Sequence, residues 1–261
     1  MENEFAGIEE KLKRASQNIV NLEIEIRAFF QSGKYYPILP SPNDESWQEA
    51  VDYHRKREIP QRFSVLAGEI VHHLRSCLDH IVWQFSSDTY RRESPNAIEF
   101  PVLEFRPRDK NAIARYEGKI KGISNTKVRE LICNLQPYFA GSDAANHPLC
   151  IIHNMDRFDK HRELAIFAST AFVKLNAPPS LREEFINTAM LCDQGKLPDA
   201  VFRSLRGQLM KDYGQASPQI SFRTFGGRKI ESVVEGLQQL HNFVAGVVAQ
   251  FRVEMRWKCG D

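Results

Sequence analysis

Long apolar runs are missing from this 261-residue sequence, so a membrane-spanning protein is not expected. Charge of one sign is scarce too. Lys and Arg number 35 against 33 Asp and Glu, a formal net charge of +2. A broad basic surface for unspecific nucleic-acid binding is therefore not demanded, and only a local patch stays open. The five cysteines, Cys77, Cys133, Cys150, Cys192 and Cys259, are scattered, odd in number and without a CxxC pair. That pattern suits neither a disulfide framework nor a zinc ribbon and points to reduced thiols in the cytoplasm. Cys259 stands third from the end and misses the prenylation pattern. The opening MENEFAGIEEKLKRAS is too polar and acidic for a signal peptide. There is no internal repeat, no low-complexity tract and no GxxxxGK[ST] phosphate loop. Gly226-Gly227-Arg228-Lys229 reads as a basic turn.

What is present is helical periodicity. Phe5 to Phe30 carries Ile8, Leu12, Ile19, Leu22, Ile26 and Phe29 at three- and four-residue steps. Gln61 to Ser86 is the clearest helix, with Leu66, Ile70, Leu74, Leu78, Ile81, Val82 and Phe85 in one stripe. Shorter helices are predicted over Lys110 to Lys121, Thr126 to Leu135 and His147 to Lys160, and a long one over Glu231 to Met255. RRESPNAIEFPVLEFRPRD reads as extended and GSDAANHP as a turn. The fold class implied is mainly α (α+β): one domain over 1–261, a helical bundle with a small antiparallel β element. β-rich insertions are expected near 47–59, 162–175 and 216–225.

The stretch GEIVHHLRSCLDHIVWQF, Gly68 to Phe85, sets three histidines, an arginine and an aspartate beside a buried stripe. Arg75 and Asp79 are four apart and share a face. Taken structurally, they are an i,i+4 ion pair, and the histidines bond backbone carbonyls at the edge of a core. Taken functionally, they stand where burial shifts proton affinities and supports chemistry.

Arg75-Ser-Cys-Leu-Asp-His80 resembles the R-x4-H signature of the HEPN superfamily, helical bundles in which Arg and His share one helix. Ser76 stands where many members carry Asn, Asp or His. Many members are metal-independent endoribonucleases of toxin–antitoxin, phage-defence and CRISPR systems, with a composite site across a homodimer. The resemblance implies Arg75 at the scissile phosphate, His80 moving protons and Asp79 orienting the imidazole, with no metal and no cofactor. RNA and an antitoxin or defence-system protein would be the partners, with no membrane involved. The chemistry is apt, because histidine titrates near neutral pH and arginine grips phosphate with two donors. The same helix together with IIHNMDRFDKHREL also looks like a group of uncharacterised bacterial proteins carrying GDxxHNLRSALDHL and DKHR signatures, which implies no activity.

HNMDRFDKHR, His153 to Arg162, is the second dense cluster. It reads either as a solvated helix end, with Lys160, His161 and Arg162 in its last turn, or as a partner of the first cluster. In the second case Asp159, Lys160 and His161 face Arg75, Asp79 and His80, and His73, Lys160, His161 and Arg162 bind substrate. Glu69-x-x-His72 has no second copy, so a di-iron site is not expected. No histidine spacing matches a zinc motif. The alternative to an RNA-acting protein is a noncatalytic interaction or scaffold protein whose Arg, Asp and His clusters form a buried polar network.

Overall fold

The computed structural model describes residues 4–32, 59–160, 166–175, 178–194, 196–198, 201, 204–205, 214–222 and 232–258. Among these the chain is mainly helical. In order come α1 (Ala6–Gln31), α2 (Gln61–Phe85), α3 (Asp88–Glu93), α4 (Lys110–Ile120), α5 (Thr126–Asn134) and α6 (Pro148–Asp159). They are followed by β1 (Ile166–Leu175), α7 (Pro179–Asp193), β2 (Gly214–Phe222) and α8 (Val233–Lys258). Short 3-10 helices span Pro95–Ala97 and Pro137–Asn146. No described helix is long and apolar enough to cross a membrane.

The chain forms two compact units, one of residues 1–24, 61–166 and 222–261, the other of 25–60 and 167–221. The first is built around α2, which packs against α8 and α6. The predicted stripe is its buried face: Ile70, Leu74, Leu78, Ile81 and Val82 are fully enclosed. Ile8, Ala15 and Leu22 of α1 and Leu237, Val244 and Phe251 of α8 complete this core. Phe251 meets Phe85 at 6.0 Å and the edge of Phe100 at 6.4 Å between ring centres. In the second unit, β1 and β2 pair with each other and α7 lies between them in the chain.

Local chemistry sets the helix ends. The Asp109 carboxylate accepts from the Ala112 amide at the start of α4, and Asn125 does the same from Val128 at the start of α5. His147 caps α6 through Nδ1, which accepts from the Leu149 amide, with Pro148 at the first helical position. At the end of α2 the Arg91 side chain donates to the carbonyls of Trp83 and Gln84.

The long elements fall within three residues of their predicted ends. Two short ones differ. Arg91 to Glu93, expected to be extended, finish α3, which Ser87 caps. The expected turn around Gly141 lies inside a 3-10 segment, where Gly141 alone adopts a positive φ, 59°. The strand expected over 47–59 lies outside the described residues, apart from Ile59. Of the expected strand over 162–175, residues 166–175 are described, as β1.

Candidate functional site: a polar clamp and an open pocket on one helix

Helices α2 and α6 run antiparallel, and their register follows from two close approaches. Gly68 of α2 lies against Asp159 of α6, where a β-carbon at position 68 would fall 2.6 Å from the Asp159 Cγ. One turn on, His72 Nδ1 lies 3.1 Å from Asp156 Oδ1, and the other Asp156 oxygen is 2.6 Å from Lys160 Nζ. One further turn brings Arg75 level with His153. The two clusters therefore do meet. Lys160 and Asp159 stand level with Gly68 and His72, not with Arg75, Asp79 and His80. His153 occupies the place opposite Arg75.

Arg75 is enclosed, with only 4% of its surface exposed. Its Nη2 donates to the Phe100 carbonyl at 2.9 Å and to Asp79 Oδ1 at 2.8 Å, with Glu99 Oε2 at 3.9 Å. The same Asp79 oxygen accepts from the Phe100 amide at 2.9 Å. The ion pair thus holds both backbone groups of one residue. Phe100 lies in an extended segment with no strand beside it among the described residues, so its polar groups need side-chain partners once buried. Gln136, 1% exposed, continues the pattern along the segment. Its Nε2 donates to the carbonyls of Pro101 and Ile132, both at 2.9 Å, and its Oε1 accepts from the Leu103 amide at 3.1 Å. Burial supplies the force behind this arrangement, because a buried backbone group without a partner costs about 1–3 kcal/mol.

Further charges extend the clamp. Glu99 bonds Lys119 of α4. Burial pushes the Glu99 carboxyl up, but the Lys119 ammonium outweighs it and holds it below the usual range. Burial raises Asp79, and Arg75 and the Phe100 amide pull against that. Burial also lowers His153, and the cations Arg75 and Lys119 take it further, to about 4. His153 is therefore a neutral imidazole at neutral pH beside Arg75. One guanidinium nitrogen, Arg75 Nη1, and His73 Nδ1 are buried without a hydrogen-bond partner.

His80 parts company with Arg75. Five residues turn a helix by about 140° past a full revolution, and His80 sits toward Lys11 of α1. Burial and the Lys11 ammonium lower its proton affinity, and the same two causes, in the same order, lower that of His73. His80 and Asp79 open onto a pocket of about 400 Å³ that Trp83, Gln84 and Ile98 also line. His161 and Arg162 lie outside the described residues. The structure thus joins Asp79 to both Arg75 and the pocket with His80, but it does not bring Arg75 and His80 to one surface. Among the described residues no three His, Cys, Asp or Glu side chains gather as metal ligands would.

Sequence reading missed Glu99, Phe100, Lys119 and Gln136, and gave His153 no place beside Arg75. Only His153 carried a signal, as part of the second cluster. In comparisons with known proteins, no family model, no curated protein and no solved structure matches the chain.

Proposed function

We propose that this chain is a noncatalytic helical interaction protein, in which the Arg75, Asp79 and His153 clusters are a structural network. The observation that supports this is the destination of the Arg75 guanidinium. It faces inward, onto the Phe100 carbonyl and Asp79, with no donor at the surface to meet a phosphate. Replacing it with Met removes one partner of a buried pair, which costs about 3–5 kcal/mol in fully buried cases and about 2–4 kcal/mol here, since Asp79 keeps some water.

A HEPN-like RNA-acting protein, a homodimeric endoribonuclease, is the second reading. What favours it is that Asp79 and His80 open onto one pocket, where burial raises the proton affinity of the carboxylate and lowers that of the imidazole. In that version His80 and Asp79 exchange protons with substrate, and Arg75 only positions Asp79. One experiment separates the two. Wild type, Arg75→Met and His80→Ala are compared for urea unfolding and for cleavage of structured and single-stranded RNA. The structural reading expects no cleavage by any of them, a large stability loss for Arg75→Met and none for His80→Ala. Cleavage by wild type that His80→Ala abolishes without loss of stability would overturn it in favour of the nuclease.

A further inference from the structure

The pocket on α2 has features the clamp does not use. Asp79, His80, Trp83 and Gln84 stand at i, i+1, i+4 and i+5, so two neighbouring i,i+4 pairs share one outward face, and Ile98 completes the lining. Their polar groups are largely uncommitted. Asp79 gives Oδ1 to Arg75 and the Phe100 amide, which fixes the carboxylate and leaves Oδ2. Within the described residues, neither the His80 ring nor the Gln84 side-chain amide is held in a hydrogen bond. Trp83 is 37% exposed, and the Arg91 guanidinium lies over its ring, 5.6 Å from the centre.

The balance of charge selects among ligands. Asp79 is already paired with Arg75, and Glu99 behind it with Lys119. His80, lowered by burial and by Lys11, is neutral at neutral pH and can both donate and accept. A charged ligand would find no unpaired counter-ion in the lining. A wholly apolar one would leave three polar groups dry, each at the cost of its lost hydration. A ligand whose own groups both donate and accept, with a C–H face for the tryptophan, satisfies all of them. The volume lies within the range of roughly 300–1,000 Å³ of small-molecule sites.

We propose that this pocket binds a neutral, hydroxyl-rich ring, a single saccharide unit, stacked on Trp83 and hydrogen-bonded to Asp79 Oδ2, His80 and Gln84. This goes beyond the structural role of the clamp and does not depend on it.

The test is saturation-transfer NMR on the full chain with methyl glucoside, N-acetylglucosamine and ribose, against adenine and spermidine as flat and cationic controls. The expected result is transfer to the ring protons of at least one sugar. Its affinity should fall tenfold or more in Trp83→Ala and in Gln84→Ala, while both variants melt with wild type. Neither substitution touches Arg75 or Phe100, so the outcome is read separately from that of the clamp. No transfer to any of the three sugars, tighter binding of adenine or spermidine, or sugar binding that survives both substitutions would overturn the proposal.

Discussion

Glycine 68 is the sharpest place to test how α2 and α6 fit together. A glycine inside a helix normally costs about 0.8–1 kcal/mol relative to alanine. On propensity alone, Gly68→Ala should therefore stabilise the protein. The structure reverses the sign. The added β-carbon would stand 2.6 Å from the Asp159 Cγ, and an ordinary contact needs about 0.8 Å more. Asp159 has an interaction of its own that any movement to make room would disturb. Overpacking of this kind costs about 1–3 kcal/mol. Set against the propensity gain, the net loss is about 0–2 kcal/mol, or a fall in Tm of up to roughly 4 °C for a chain of this size. Gly246 of α8 supplies the control, because nothing lies within 4 Å of the β-carbon it would gain. Gly246→Ala should raise Tm by about 2 °C. Thermal unfolding followed by helix circular dichroism reads both. On an Asp159→Ala background, Gly68→Ala should become neutral or stabilising. A Gly68→Ala variant that gains as much stability as Gly246→Ala on the native background would refute the packing of these helices.

Acid should weaken the fold through His153. Its folded proton affinity lies below the unfolded value, so stability is full above pH 6.5 and is lost as pH falls from there toward about 4. The shift corresponds to at most roughly 3.4 kcal/mol, and to about 1–2 kcal/mol after allowance for the water that reaches the ring. His153→Gln should make that limb shallower in urea unfolding measured from pH 7 to pH 4, with His73 and His80 accounting for part of what remains, and an unchanged limb would refute the assignment. Gln136→Ala should cost about 2–4 kcal/mol, because it strands the carbonyl of Pro101 and the amide of Leu103. Exchange of the Leu103 amide should quicken with it, and NMR-detected hydrogen exchange checks this. Equal protection in variant and wild type would count against the bond.

The three long helices were legible because each repeats its apolar residues at helical spacing, and tertiary packing only confirms that spacing. Arg91 to Glu93 were misread because a proline-bounded, charged stretch looks extended, whereas Ser87 caps a turn and a half of helix just ahead of Pro95. The meeting of the two polar clusters was legible in part. Sequence places both beside apolar stripes, but their register comes from the antiparallel run of the helices and from Gly68, which admits Asp159. The clamp itself was not legible. Its partners are the Phe100 backbone, Gln136 and Lys119, which are far away in the chain and carry no pattern that marks them. The R-x4-H spacing suggested that Arg75 and His80 act together. On a helix that spacing separates them, and burial of the Phe100 carbonyl draws the guanidinium inward.

Two of the ionisable groups on this core helix thus have a structural reason: Arg75 and Asp79 pair with Phe100 backbone groups that have no other partner among the described residues, while His72 pairs with Asp156 of α6. Hydrogen exchange at the Phe100 amide in wild type and Arg75→Met tests this most directly. The clamp predicts slow exchange in wild type and exchange at least tenfold faster in the variant, equivalent to about 1.4 kcal/mol of lost protection. Equal exchange in the two proteins would contradict it, and Arg75 would then have to be explained by something other than the segment it holds.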